Sequence, residues 1–174
     1  DDIMYLCYDN EAYMNTGIQR SSATPDGCWT TTTPLPRPKQ GAKKNIMEII
    51  AAHKVPYAAT ATPAFPLDLM QKVSKAKQKR GTKFFHVLCP CPTGWRFSPE
   101  FTIKISRMAV ESKVFPLYEI EDGEKYTINY LPRGVSVRQY LELQGRFRHL
   151  LTEQHIARIQ ENVDHNWERL VRRV

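Results

Sequence analysis

Tyr8-Asp9-Asn10-Glu11-Ala12-Tyr13-Met14-Asn15-Thr16-Gly17 gathers carboxylate and amide oxygens within one short stretch, with Gly17 at its end to free the backbone. Such a set of hard oxygen donors suits a hard cation and the phosphate it carries. Mg²⁺ in particular takes one or two side-chain oxygens and completes its shell with phosphate and water. The same Asp-Asn-Glu run also makes good turns, so residue type alone leaves a plain loop open. A second chemically suggestive stretch is Cys89-Pro90-Cys91-Pro92. Its single-residue gap is not the two-residue gap of zinc ribbons, and alone it is a weak metal signal. Cys7 lies inside an apolar run and reads as a small core residue. Cys28 sits in a Pro/Gly/Thr loop with no partner nearby in sequence.

The elements around these stretches suggest how they are positioned. Ile3 to Tyr8 is an apolar run without alternation, as expected of a parallel strand buried on both faces, and Asp9 to Gly17 is the loop leaving its carboxyl end. Ser21 to Lys44, rich in Pro and Thr, reads as a long irregular loop. Asn45 caps a short helix whose Ile46, Ile49, Ile50 and His53 share a face, His53 as a structural histidine. Val55 to Thr60 is a strand. Pro66 opens a helix with Leu69, Met70, Val73 and Ala76 as its apolar stripe, ending at Gly81. Phe84 to Leu88 is another buried strand, which delivers Cys89 and Cys91 at its carboxyl end. This βαβ rhythm implies a parallel sheet with right-handed crossovers, so both special loops emerge on one sheet edge.

Farther on, Ser98 and Pro99 start a helix that runs through Ser112, with Phe101, Ile105 and Met108 inward. Glu121-Asp122-Gly123-Glu124 joins a hairpin of Phe115–Ile120 and Lys125–Tyr130. Val137 to Leu143 is a short helix stopped by Gly145. Thr152 caps a last helix with Ile156, Ile159, Val163, Trp167 and Leu170 on one stripe, which is core or subunit contact. The expected fold class is α/β: a parallel sheet flanked by helices over residues 1–114, then a hairpin and helical extension over 115–174.

Tyr8 to Ser21, Cys89-Pro90-Cys91-Pro92-Thr93-Gly94-Trp95 and Gln144-Gly145-Arg146-Phe147-Arg148 together resemble the β subunit of pyruvate:ferredoxin oxidoreductase (pyruvate synthase), in the 2-oxoacid:ferredoxin oxidoreductase family. The landmarks follow in the family's order over nearly the whole chain. The resemblance implies the carboxyl-terminal part of a thiamin diphosphate-binding fold. It implies CoA-dependent oxidative decarboxylation of pyruvate, or the reverse synthesis, with electrons passing through a [4Fe-4S] cluster to ferredoxin. Sister enzymes for oxalate or branched-chain 2-oxoacids share most of these signatures.

Residue by residue, the resemblance assigns the Asn10 side-chain oxygen and the Ala12 main-chain carbonyl to the Mg²⁺ of thiamin diphosphate. It sets Asn15 beside the thiazolium and substrate as a cofactor-binding and catalytic residue, and makes Cys91 one of four [4Fe-4S] thiolates. Cys89 stands where alanine is expected, as core or as a neighbour of the cluster ligand. The family's Gly-Asp-Gly and three further cluster cysteines are absent from this sequence, so activity is expected to need the amino-terminal part of the β subunit and the α, γ and δ type subunits.

Composition agrees with an ordinary globular chain, with 41% hydrophobic and 25% charged residues among 174. No apolar run is long enough to span a membrane and no signal peptide is visible, so a cytoplasmic location is expected. The net charge of +7 concentrates in Arg37–Lys44, Lys72–Lys83 and the tail. It reads as a solvated basic face suited to an acidic electron carrier. Nucleic acid is the weaker alternative, because the basic residues are not interleaved with aromatics. A non-catalytic structural subunit is the other alternative, weighed against by Asn10, Asn15 and Cys91.

Overall fold

The computed structural model describes residues 1–174. Three parallel strands, β1 (Met4–Asp9), β2 (Tyr57–Ala61) and β3 (Lys83–Leu88), form one side of a five-stranded sheet ordered β1-β3-β2-β4-β5. The other two strands, β4 (Tyr118–Glu121) and β5 (Lys125–Ile128), are antiparallel, β4 to β2 and β5 to β4. The α/β class stands, and the sheet is mixed because the hairpin adds to it. At the hairpin tip Asp122 and Gly123 both adopt positive φ (53° and 74°), the pair of left-handed residues that matches the strand twist. A Cβ on Gly123 would lie 2.3 Å from the Ala51 carbonyl oxygen, so glycine is required there for space as well.

Helices cover both faces. On one, α2 (Pro66–Lys77) packs Ala76, Leu69 and Val73 over Tyr57, Ala59, Ala61, Phe85 and Val87. The small residues of β2 let the helix close down on the sheet. On the other face, α1 (Ile46–Ala52) packs over Ala58, Phe84 and Ile120 with Leu170 of the last helix, α6 (Glu153–Val171). Asn45 caps α1, its side-chain oxygen accepting from Glu48 N–H at 3.3 Å. The largest core joins Leu88, Trp95 and Cys28 to α4 (Thr102–Glu111), α5 (Val137–Glu142), the 3₁₀ turn at Gly145–Leu150 and Ile156 of α6. Segments on either side of residue 114 therefore share both sheet and core.

Several expected faces shift. The buried face of α1 is Met47 and Ala51 with Ile46 and Ile50 beside them, and Ile49 turns outward. In α2, Met70 is exposed while Lys72 is buried, because Lys72 Nζ finds Asp68 (2.8 Å) and the Thr60 carbonyl (2.8 Å). Phe101 precedes α4 and stays partly exposed. The largest difference is β1. It is an edge strand, with Tyr5, Leu6 and Tyr8 at 57%, 41% and 72% exposure, because only β3 flanks it and no helix of the chain covers these side chains. Cys28, by contrast, is fully buried beside the Trp29 carbonyl.

A charged lattice ties α2 to the hairpin. Tyr57 donates to Glu119 (2.6 Å), Lys75 bridges Glu119 (2.5 Å) and Glu121 (2.9 Å), and Lys79 pairs with Glu121 (2.6 Å). Hydrogen bonds from Lys79 and then Lys75 lower the Glu121 carboxyl from 4.5 to about 2. Because its folded value is depressed, this stabilisation is complete above the unfolded value and is lost as pH falls from about 4.5 toward about 2. Solvent screens the partly exposed lysines, so Glu121→Gln is expected to cost about 1 kcal/mol near neutrality. In urea unfolding followed across pH, the gap between wild type and the variant should close by pH ~2.

Candidate cofactor-binding site

The loop after β1 is shaped by its own short polar side chains. Asp9 Oδ1 accepts from Glu11 N–H at 2.9 Å, and Glu11 takes a left-handed φ of 66°, turning the chain sharply between Asn10 and Ala12. Tyr13 then pairs with Gln19 across a tight reversal that contains Gly17 at φ 116°. Thr24 Oγ1 donates to the Glu11 carbonyl at 2.7 Å, anchoring the turn from the long loop. Asn10 and Ala12 are half-buried and Asn15 is exposed; all three line one cleft of about 530 Å³, together with Asp9, Lys44 and His86. No hydrogen bond from the chain reaches the Ala12 carbonyl, which leaves that oxygen available to a ligand.

The loop after β3 docks on this turn, as the parallel β1–β3 pairing with Asp9 opposite Leu88 requires. Cys91 caps the four-residue helix α3 (Pro92–Trp95), its sulfur accepting from Gly94 N–H at 3.4 Å. The buried Trp95 indole N–H donates to the Asn10 carbonyl at 2.8 Å. Gly94 sits against Met14, so closely that a Cβ there would lie 2.1 Å from the Met14 sulfur. The oxygen-rich turn and the Cys91 turn are thus in direct contact at one edge of the sheet. Cys89 lies half-buried against the α2 side of the sheet, where burial pushes its thiol up to about 11. That environment suits a core thiol better than a thiolate ligand.

Beneath the turn lies a charged group that sequence reading does not find. The Asp9 carboxylate receives His86 Nε2 at 2.6 Å and Lys43 Nζ at 2.5 Å. Burial alone would raise its pKa, but the His86 hydrogen bond and the Lys43 charge outweigh burial and hold the carboxyl well below its ordinary value. Lys43 also pairs with Glu11 Oε1 at 2.7 Å, and Arg146 pairs with Glu11 Oε2 at 2.6 Å. Burial would lower the Lys43 pKa, yet Glu11 and Asp9 together raise it. Arg146 is 1% exposed, hydrogen-bonds Gln144 Oε1 at 3.0 and 2.7 Å, and stacks 3.7 Å from the Trp95 ring centroid. Arg146 belongs to a stretch that stands out in the sequence. Lys43 lies in an irregular loop and carries no signal there.

The residues present fit the groups the sequence suggests. Asn10 and Ala12 place uncharged hard oxygens on the cleft, Asn10 Oδ1 lying 3.5 Å from the Ala12 N–H, and donors of this type would suit a Mg²⁺ ion. Cys91 presents a sulfur already hydrogen-bonded by a main-chain N–H, an arrangement that favours a thiolate ligand. No group of three or more His, Cys, Asp or Glu side chains in the chain is arranged to hold a metal.

Residues 1–87 match the family model of the thiamine pyrophosphate enzymes, C-terminal TPP-binding domain. The chain belongs to this family. It is 53% identical over 167 residues to pyruvate synthase subunit PorB of Methanocaldococcus jannaschii, covering 94% of this chain and 55% of that protein. The PorB of Methanothermobacter thermautotrophicus is 52% identical, with 94% and 57% covered. Ketoisovalerate oxidoreductase subunit VorB of Pyrococcus abyssi is 47% identical over 176 residues, with 97% and 56% covered. The resemblance to the β subunits of 2-oxoacid:ferredoxin oxidoreductases is thereby borne out. The chain spans about half the length of the curated relatives it matches. No helix is long and apolar enough to cross a membrane.

Proposed function

We propose that the chain forms the thiamin diphosphate-binding portion of the β subunit of a cytoplasmic 2-oxoacid:ferredoxin oxidoreductase that acts on pyruvate. The observation that carries this reading is the contact between the two turns, Trp95 on the Asn10 carbonyl and Gly94 on Met14. It brings hard oxygens and a cysteine sulfur to one sheet edge, within a thiamine pyrophosphate enzyme. When bound, thiamin diphosphate supplies the nucleophile and electron sink that let a 2-oxoacid lose CO₂, and a [4Fe-4S] cluster carries single electrons onward to ferredoxin.

This chain's own residues bind and orient. Asn10 Oδ1 and the Ala12 carbonyl would hold the Mg²⁺ of the diphosphate. Asn15, exposed on the cleft, donates to developing negative charge on the substrate oxygen. Cys91 would be the residue of this chain that holds the cluster, and the Gly94 N–H bond to its sulfur would help set the reduction potential. Coenzyme A accepts the acyl group, and partner subunits complete the site. A branched-chain 2-oxoacid is the second reading, favoured by the VorB relatives.

The test is the visible spectrum and iron content of the intact complex, purified without oxygen, before and after addition of coenzyme A with each 2-oxoacid. An iron–sulfur band that bleaches with pyruvate and is missing in a Cys91→Ser complex is the expected result. Bleaching only with 2-oxoisovalerate selects the second reading. A colourless, iron-free wild-type complex would overturn the cluster assignment.

A further inference from the structure

Asn10 and Ala12, the two residues assigned to the metal, flank Glu11, whose 3%-exposed carboxylate carries two cations. Neither cation is a neighbour in sequence. Lys43 comes from the end of the long loop, and Arg146 from the 3₁₀ turn that precedes α6. The carboxylates of Asp9 and Glu11 are already paired with side-chain cations. Asp9 Oδ1 accepts from Glu11 N–H, and Oδ2 receives His86 and Lys43. Glu11 Oε1 receives Lys43, and Oε2 receives Arg146. Meanwhile the Glu11 main chain is held in the left-handed region and its carbonyl is pinned by Thr24. Arg146 is itself fixed on three sides, by Gln144, by the Trp95 ring and by the Phe147 ring at 4.8 Å. Trp95 in turn donates to the Asn10 carbonyl, so the stack closes back on the same turn.

We infer that Glu11, clamped between Lys43 and Arg146, is the positioning residue of the metal turn. Its ion pairs hold the left-handed backbone between Asn10 and Ala12, the two residues that line the cleft on either side of it. A left-handed non-glycine residue relaxes unless its surroundings over-determine it. Two opposed cations and a carbonyl anchor do so here. The clamp acts on the turn and touches neither metal nor substrate. Through it Arg146, 135 positions downstream of Glu11, reaches the turn. This inference rests on the reading of Asn10 and Ala12 as metal-binding residues.

The experiment uses the assembled complex stripped of metal and thiamin diphosphate. Mg²⁺ is titrated at fixed thiamin diphosphate while binding is followed by calorimetry, and the unfolding midpoint of the metal-free complex is recorded separately. Glu11→Gln keeps the shape and removes the charge. It is expected to raise the half-saturating Mg²⁺ concentration by about ten- to a hundredfold, the usual effect of losing a residue that orients a metal ligand. Arg146→Lys, which keeps the charge but loses the fork and the stack, should give a smaller rise in the same direction, and it serves if Glu11→Gln does not assemble.

A lowered unfolding midpoint with an unchanged Mg²⁺ requirement in both Glu11→Gln and Arg146→Lys would overturn the inference, leaving the clamp as fold stabilisation only. Asn10→Ala separates the two levels. If it abolishes Mg²⁺-dependent binding while Glu11→Gln does not disturb it, the positioning role fails and the metal assignment survives. If Asn10→Ala also leaves Mg²⁺ binding untouched, the assignment beneath the inference fails, and the inference with it.

Discussion

Arg146→Met is expected to lower the free energy of unfolding by about 3–5 kcal/mol, the usual consequence of removing one partner from a buried ion pair. Arg146 is almost wholly buried, and its guanidinium serves three contacts at once: Glu11, Gln144 and the Trp95 face. Methionine fills much of the volume but offers no donor. Gln144 Oε1 then loses both of its guanidinium hydrogen bonds, and Glu11 keeps only Lys43. Lys43 prevents the carboxylate from being wholly uncompensated, which argues for the lower part of that range. For a chain of this size the melting temperature should fall by roughly 10 °C. Combining Arg146→Met with Glu11→Gln should cost less than the two changes added together, because the second removes the charge that the first strands. An unchanged melting temperature for Arg146→Met would show that the pair contributes no net stability.

Trp95→Ala should be of similar severity, about 3–5 kcal/mol, since it empties a fully buried indole site in the largest core. Its distinguishing feature is the indole N–H that donates to the Asn10 carbonyl. Trp95→Phe keeps most of the ring and loses that donor, so it should cost about 1–3 kcal/mol, the penalty for a half-buried carbonyl left without a partner. Denaturant unfolding gives both numbers from the shift in midpoint at constant slope. If Trp95→Phe proved as costly as Trp95→Ala, the ring's packing in that core could not be the main term. The Trp95 and Arg146 changes should also couple, because one side chain stacks on the other.

Both variants act where the two loops meet, and that meeting was legible in advance. Apolar runs ending in Asp9 and Leu88, separated by a strand and helical patterns, require a parallel arrangement, and parallel strands send their carboxyl ends the same way. The Asn45 cap, the Pro66 helix start, the Asp122-Gly123 turn and the Thr152 cap are likewise local signals obeyed by the fold, because each is set by hydrogen bonds or φ values within a few residues. Helix faces depend less on local signals. Periodicity alone does not show that Lys72 turns inward to Asp68 and the Thr60 carbonyl while Met70 turns out.

The α/β order of elements and the two loops on one sheet edge follow from residue patterns alone, whereas Asn10, Ala12, Asn15 and Cys91 are singled out within those loops by the family resemblance. Tertiary structure alone decided the rest. An unbroken apolar run cannot reveal whether anything covers it, so the exposed edge position of β1 follows only from strand order. The clamp on Glu11 was equally hidden, since its partners lie 32 and 135 residues away and a charged residue in a loop ordinarily faces water. Only the folded chain brings Lys43 and Arg146 to the same buried carboxylate, where in a low-dielectric interior each charge is tolerated because the others are present.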